Sequence, residues 1–395
     1  MNSANPLADS TYRRLFGAQV IALSGTGLAT VALTLLAYDL AGGDAGVVVG
    51  AALGIKMVVY VFVAPLVVGL LTNVPRRRLL VGFDLLRAAS VAAMPFVTEV
   101  WQVFALIALV NSGSAGFTPT FQATIPDILP DESRFTRALS LSRLAYELEG
   151  LLSPVLAGVL LLVITYNGLF TLNAVAFLCS AALVLTTTLP ARRLTDDVET
   201  RWRRVTYGLR RYLATPRLRG LLALNLAVAS AGAMVIVNTV LYVRDSFGLD
   251  SSDVAWALAA SGAGAMLTAL VLPSILDRIR DRSAMFAGAA LLGTGLGLAT
   301  FVTGFLEMIA IWFVLGVGLS AVQTPAGRLI RRSGEPGEMP GLFAAQFSLS
   351  HACWLLAYPL AGLLGATIGL SATAAILAAL AFLSLIAAAA LWRSD

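Results

Sequence analysis

Long apolar runs separated by short polar segments fill this sequence. Twelve of them contain about 18 residues or more and can cross the roughly 30 Å hydrocarbon core of a bilayer as helices. They lie at 14–38, 45–72, 79–98, 101–124, 136–163, 167–189, 218–243, 253–275, 284–304, 307–327, 341–367 and 369–392. The pattern predicts an all-α integral membrane protein with twelve transmembrane helices.

The composition supports a membrane-embedded chain. Hydrophobic residues make up 58% of it and charged residues only 12%, with a mean hydropathy of +0.85, which leaves too little polar surface for a soluble globule of 395 residues. The first dozen residues hold no basic segment and many apolar runs follow, so we expect the first run to be a span and not a cleaved signal peptide. Cys179 and Cys353 lie inside apolar runs without a Cys-x-x-Cys motif, which indicates neither a disulfide nor a zinc site.

Basic residues cluster between the apolar runs. With a cytoplasmic N-terminus, 23 arginines fall in inner segments and Arg244 alone falls in an outer one. This asymmetry predicts a plasma (inner) membrane protein with both termini in the cytoplasm. The pI near 9.5 then reflects membrane orientation, so the lipid bilayer is an expected partner and nucleic acid is not.

The longest polar segment divides the predicted helices into two sets of six. The division gives an N-terminal bundle at 1–190, a cytoplasmic linker at 191–217 and a C-terminal bundle at 218–395. Apolar residues recur at helical spacing among the linker arginines, as in a helix lying on an anionic leaflet; they are Trp202, Val205, Leu209 and Tyr212. A plain connection between the bundles would show nearly the same pattern.

The two halves repeat several short elements at a nearly constant separation. Thr118-Pro119 corresponds to Thr324-Pro325, 206 residues later, and Ser140-Leu-Ser142 corresponds to Ser348-Leu-Ser350, 208 residues later. The polar segments at 73–78 and 277–282 also correspond. Such duplication predicts two pseudo-symmetric six-helix bundles and is typical of carriers that work by alternating access.

The segment after the second run reads Gly69-Leu-Leu-Thr-Asn-Val-Pro-Arg-Arg-Arg78. It resembles the Gly-x-x-x-Asp-Arg-x-x-Arg-Arg loop of the major facilitator superfamily, with Asn73 in place of the aspartate. The resemblance covers essentially the whole chain and implies the major facilitator fold, with a cytoplasmic latch at this loop and at its counterpart in the second half. The latch residues are Gly69, Asn73, Arg76, Arg77, Arg78, Asp84, Arg87, Asp277, Arg278 and Arg282, and Asp84 with Arg87 are expected to pair with the arginine cluster at 76–78.

Two further elements resemble exporters of this family. The element Ser153-Pro-Val-Leu-Ala-Gly158 is similar to the Gly-Pro-x-x-Gly-Gly element of antiporters. The run Pro126-Asp-Ile-Leu-Pro-Asp-Glu132, followed by Ala138-Leu-Ser-Leu-Ser142, looks like the branch that holds enterobactin, macrolide and nickel or cobalt exporters. The resemblance implies export without fixing the cargo.

Five ionisable side chains fall inside predicted spans, away from the membrane edges. They are Lys56 in the second span, Arg143, Glu147 and Glu149 in the fifth, and His351 in the eleventh. Lys56, the only lysine, lies roughly 15 Å from either end of its run, and a charge at that depth is a functional candidate by default. We predict that these residues couple protons or bind substrate.

Glu147 is the preferred proton carrier, because Arg143 lies on the same helix face four residues earlier and access to either side can switch the protonation of the carboxyl. A fixed Arg143–Glu147 ion pair is the alternative. His351 can titrate near neutral pH or bind a metal, but a lone histidine is more often a packing residue. The sequence places no further metal ligands near His351, so neither a metal site nor a cofactor is predicted.

Polar stripes on the first, fourth, seventh and tenth spans indicate a cavity wall, since in the resembled fold these helices surround the central pathway. The candidates are Thr26, Thr30, Thr34, Tyr38, Asn111, Thr118, Asn238, Tyr242, Gln323 and Thr324. The alternative for each hydroxyl is that it only satisfies a backbone carbonyl.

Together these features predict a monomeric secondary active transporter that exports a small organic compound, of the drug, macrolide or siderophore-like kind, driven by protons. Two alternatives stay open: a nickel or cobalt exporter with His351 and Glu147 as ligands, and a membrane sensor or channel-like protein. Neither an enzyme nor an ATP-driven pump is expected, because the sequence holds no catalytic motif and no Gly-x-x-x-x-Gly-Lys loop.

Overall fold

The computed structural model describes residues 5–41, 45–71, 73–189 and 201–392. Within these residues the secondary structure is helical, without strands. The α-helices are α1 (Ser10–Ala41), α2 (Ala45–Leu70), α3 (Arg76–Ala93), α4 (Val100–Ile128), α5 (Glu132–Leu160), α6 (Tyr166–Leu185), α7 (Arg201–Ala214), α8 (Pro216–Val240), α9 (Ser251–Ile275), α10 (Asp281–Ala299), α11 (Phe305–Gln323), α12 (Ala326–Arg331), α13 (Met339–Ile368) and α14 (Leu370–Leu391). Apart from α7 and the short α12, each helix corresponds to one predicted run.

Ten helical segments of the described chain are long and apolar enough to cross a membrane. The two long helices outside that set are α5 and α10, which complete the twelve. Helix α5 carries the charges at 143, 147 and 149, and α10 begins with Asp281 and Arg282 and contains four glycines.

Local sequence signals explain where several helices begin and end. The Asp131 side chain accepts a hydrogen bond from the Arg134 N–H at 2.9 Å and so caps α5. Capping boxes begin α4, through Glu99 and Gln102, and α9, through Asp250 and Asp253. Gly369 has a φ of 85°, which favours glycine, and this turn separates α13 from α14.

The chain forms two compact units. The first comprises Met1–Ala138, Leu148–Arg210 and Gly334–Ser348, and the second comprises Leu139–Glu147, Arg211–Ser333 and Leu349–Asp395. The middle of α5 therefore belongs to the second unit and the start of α13 to the first. The predicted division at 1–190, 191–217 and 218–395 stays a prediction, and the linker start at 191–200, with Arg192 and Arg193, lies outside the described residues.

In the first unit, α6 packs against α1 and α3, and α4 packs against α2 and α3. Small residues allow the closest approach of α1 and α6, because a side chain at Gly25 would overlap Asn173. The core on this side combines Ala32 and Leu36 of α1 with Phe170 and Phe177 of α6. Helix α1 also contacts α2 and α4.

In the second unit, α8 is more buried than the other apolar helices that the structure describes there. It packs mainly against α14, while α11 packs against α9 and α10. The α9–α11 crossing depends on Gly264 and Gly316, where added side chains would meet the Phe313 and Ser261 carbonyls. A π-helical turn, Leu241–Ser246, ends α8.

The arginine-rich helix α7 is held by glycines of two other helices. A side chain at Gly69 of α2 would lie about 2.6 Å from Val205 atoms, and one at Gly208 would overlap the Gly341 backbone of α13. The Tyr207 hydroxyl also donates to Glu338 Oε1 at 2.5 Å. Of the predicted apolar face, Val205 is buried and Trp202 is exposed, so α7 packs against protein along the Val205–Gly208 side.

Candidate functional site

Arg143 and Glu147 form an ion pair on one face of α5. Both side chains are partly buried, at 26% and 18% exposure. Their spacing of one helical turn explains why the pair forms within a single helix. The geometry therefore places a carboxylate and its counter-ion together, far from the ends of α5, as both the proton-carrier and the fixed-pair hypotheses require.

Glu149 belongs to the first unit, whereas Arg143 and Glu147 belong to the second. Its side chain approaches α1. A methyl group at Gly27 would overlap the Ser153 side chain and lie 2.8 Å from Glu149 Oε1. The missing side chain at Gly27 therefore lets α5 come close enough for the half-buried Glu149 to reach α1. The combination of Gly27, Glu149 and Ser153 was not recognised in the sequence, although Glu149 and Ser153 share a helix face.

Lys56 lies halfway along α2 and is half-buried. Its Nζ is 5.7 Å from the centroid of the Tyr60 ring, near the outer limit for a cation–π contact. Among the described residues it forms neither an ion pair nor a hydrogen bond. Lys56 is thus a cation in a membrane span with an aromatic neighbour only.

His351 lies on an aromatic face of α13. Trp354 and Tyr358 follow it at helical spacing, with ring centroids 5.1 Å apart, and the Trp354 indole occupies the space left by Gly232 of α8. His351 is half-buried and has an interaction partner. The described chain contains no group of three His, Cys, Asp or Glu side chains that could hold a metal ion.

The threonine stripe of α1 satisfies its own backbone. The hydroxyls of Thr26, Thr30 and Thr34 donate to the carbonyls four residues earlier, at 2.9, 3.1 and 3.2 Å. Thr30, Thr34 and Tyr38 are nonetheless exposed. These hydroxyls can therefore satisfy backbone carbonyls and line a cavity at the same time, because a hydroxyl that donates to a carbonyl can still accept a hydrogen bond.

The other predicted wall residues divide by burial. Thr118 and Gln323 are half-buried, whereas Asn111 is buried and donates to the Ile107 carbonyl at 2.8 Å. Thr324 is also buried, with its hydroxyl 3.3 Å from that of Ser320.

Asn238 and Tyr242 of the second unit differ from the prediction. Asn238 is fully buried and donates to the Ala361 carbonyl of α13 at 3.2 Å. The Tyr242 hydroxyl donates to the Ala299 carbonyl at 3.1 Å, and its ring meets Trp312 edge-on. Both polar groups thus join neighbouring helices and do not form an exposed wall.

The predicted first latch is also paired differently. Arg76 forms its ion pair with Asp127 of α4, and Asp84 pairs with Arg87 and not with the cluster at 76–78. Asn73, Arg77 and Arg78 are exposed, with Arg77 near the Thr187 carbonyl at 3.5 Å, and Gly69 accommodates α7.

The Asp84–Arg87 pair is buried among three helices. Ser180 of α6 donates to Asp84 Oδ2 at 2.7 Å, and the Arg87 guanidinium lies 4.4 Å from the ring centroids of both Phe117 and Phe177. Each charge therefore has an opposite charge or an aromatic face as neighbour.

At the predicted second latch, the ion pairs involve residues that the sequence prediction did not include. Asp281 forms an ion pair with Arg328, whose Nε lies 3.1 Å from Oδ1, and its Oδ2 accepts a hydrogen bond from Arg332 at 3.0 Å. Arg328 also donates to the Leu276 carbonyl. Asp277 and Arg278 are exposed, and Arg282 lies 4.8 Å from the Phe286 ring centroid. Asp281 is one turn beyond Asp277, so the pairing follows from where α10 begins.

Comparison with known proteins identifies the family of this chain. The family model described as Major Facilitator Superfamily matches residues 15–242 and, a second time, residues 221–395. This chain belongs to the Major Facilitator Superfamily. The two matches agree with the internal repeat, and the predicted family and twelve-helix fold are confirmed.

Two relatives in the superfamily extend over most of the chain. An uncharacterised MFS-type transporter of Bacillus subtilis, YfiS, is 25% identical over 378 residues, covering 90% of this chain and 87% of the relative. The multidrug efflux pump Tap of Mycolicibacterium fortuitum is 26% identical over 317 residues, covering 75% of this chain and 76% of that protein.

A solved major facilitator structure, a bacterial homologue of the iron transporter ferroportin in an outward-facing state, has a TM-score of 0.80 at 16% identity. The likeness covers 97% of this chain and 100% of that one, and at this identity it shows the fold alone. The family match and the long apolar helices together identify a multi-pass membrane transporter of this superfamily.

Proposed function

We propose that this transporter exports small organic compounds, of the drug, macrolide or siderophore-like kind, by proton-coupled alternating access. It would act in the inner membrane with both termini in the cytoplasm, as the arginine distribution suggests. The multidrug efflux pump among its relatives supports the export of organic cargo.

The Arg143–Glu147 pair is the observation behind the coupling step. While Glu147 is ionised, it neutralises Arg143 on the same helix face. Protonation removes that attraction, so the pair can separate when a proton arrives and re-form when it leaves. A partly buried carboxylate with one cationic neighbour provides the two charge states that coupling requires.

The first experiment identifies the cargo. An efflux-deficient host expressing the protein is exposed to lipophilic drugs, siderophores, nickel and cobalt. Protection against an organic compound supports the proposal, and protection against the metals alone supports the metal-exporter alternative.

The second experiment tests coupling with that cargo in proteoliposomes. Glu147→Gln cannot lose a proton, so we expect export that no longer responds to an imposed proton gradient. Asp245→Asn, which removes an exposed carboxylate, is the matched control and should keep the response. Equal export by the unmodified protein at every gradient, including none, contradicts proton coupling.

A further inference from the structure

Lys56 is the starting point, because its charge lacks a counter-ion within the described chain. It is the twelfth of 26 residues in α2, so it lies about 16 Å along the helix from Ala45. A cation at this depth costs on the order of 3 kcal/mol on insertion scales.

Lys56 and Tyr60 lie on the side of α2 opposite to two of its exposed apolar residues. Val58 and Phe62 are exposed apolar residues one turn apart, at 45% and 62%. Lys56 and Tyr60 precede them by two positions each, which is a rotation of about 200° around the helix. Lys56 and Tyr60 therefore share the opposite face.

An aromatic pair lies one turn from the amine on this face. The Tyr60 ring packs against Phe347 at the start of α13, with centroids 4.9 Å apart and planes tilted by 57°. The Ser348 hydroxyl donates to the Val61 carbonyl at 2.5 Å and joins the same two helix segments. The first unit thus presents one uncompensated ammonium beside two aromatic rings.

We propose that Lys56 binds the carboxylate of an aromatic organic acid, whose ring packs against Tyr60 and Phe347. The ammonium supplies up to three donors and a full positive charge, and the carboxylate supplies the missing counter-ion. The rings supply apolar area and edge or face contacts. This deepens the proposed function, on which it rests, by assigning a class of cargo.

The test compares acids with their amides, which keep the shape and lose the charge. The full-length protein is purified into nanodiscs of neutral lipid, and calorimetry gives its affinity for benzoate, naphthoate and pyrenecarboxylate and for the three corresponding amides. We expect the acids that fit to bind roughly tenfold or more tightly than their amides, because the hydrogen bond is charged.

Three variants test whether the Lys56 amine causes the preference for acids over amides. Lys56→Met should abolish the preference for acids, and Lys56→Arg should keep part of it. Arg219→Met removes an exposed cation in the first turn of α8 and should match the unmodified protein. Equal affinity for acids and amides, an undiminished preference in Lys56→Met, or no binding of any of the acids overturns the proposal.

Failure of the Lys56 proposal can be distinguished from failure of the proposed function. A protein that exports its cargo under a proton gradient without favouring acids contradicts only the Lys56 proposal. A protein that favours acids through Lys56 and moves nothing in proteoliposomes contradicts only the transport proposal.

Discussion

Arg87 and Lys56 are both cations inside spans of the first unit, yet the chain surrounds them differently. Arg87 is paired with Asp84 and lies between two phenylalanine rings, while Ser180 holds the other carboxylate oxygen. Lys56 has one aromatic neighbour and, within the described residues, neither an ion pair nor a hydrogen bond.

This difference is the basis for proposing a structural role for Arg87 and a binding role for Lys56. A buried ion whose partners come from three helices fixes how those helices pack, and removing one partner leaves the others uncompensated. A cation without a counter-ion contributes less to helix packing, and a charge inside a membrane span is by default a candidate for binding. Three substitutions test this contrast.

Arg87→Leu should have the largest effect. It leaves Asp84 buried without its counter-ion, and we expect a loss of about 3–5 kcal/mol in the free energy of unfolding. Denaturant unfolding in mixed micelles measures it. The double variant Asp84→Asn with Arg87→Leu removes both charges and should recover much of the loss; a double variant no more stable than the single one would show that the ion pair is not the cause.

Ser180→Ala should have a smaller effect in the same direction. It removes one hydrogen bond to a charged and fully buried carboxylate, which is worth about 1.5–3 kcal/mol. Thr171→Ala in the same helix, whose exposed hydroxyl bonds only its own backbone, is the matched control. Equal losses of unfolding free energy in the two variants would show that the Ser180 hydrogen bond does not stabilise the Asp84–Arg87 pair.

Lys56→Met should have the smallest effect, with the opposite sign. Replacing a half-buried, unpaired cation by an apolar side chain of similar length should raise the free energy of unfolding by about 1 kcal/mol. The same unfolding measurement applies. A clear destabilisation would mean that Lys56 has a structural role like that of Arg87, and the contrast between the two cations would disappear.

The sequence predicted the helices well because bilayer thickness dictates run length, and most runs also end close to a glycine, proline or charge. It also predicted the Arg143–Glu147 contact, because residues one helical turn apart lie side by side on the same face of a helix. These features depend on neighbours within a few residues.

Contacts between helices were harder to predict. Whether Asn238 faces a cavity or another helix depends on the Ala361 carbonyl, 123 residues away, and a polar residue in a span suits either environment. Similarly, Asp277 and Asp281 look alike in sequence, and only their contacts distinguish them, because Arg328 of α12 and Arg332 just after it pair with Asp281. Arg87 pairs with Asp84 of its own helix and not with the cluster at 76–78. The side chains that enclose this pair, Phe117, Phe177 and Ser180, come from two other helices and could not be predicted locally.

The backbone contact between Gly208 and Gly341 also constrains the order of events during synthesis. Helix α7 leaves the ribosome more than a hundred residues before its α13 partner exists, a delay on the order of ten seconds at ordinary elongation rates. During that interval the Val205–Gly208 face lacks one of its two neighbours. The docking of α7 is therefore completed only once translation has reached α13, which makes this contact a marker of late maturation.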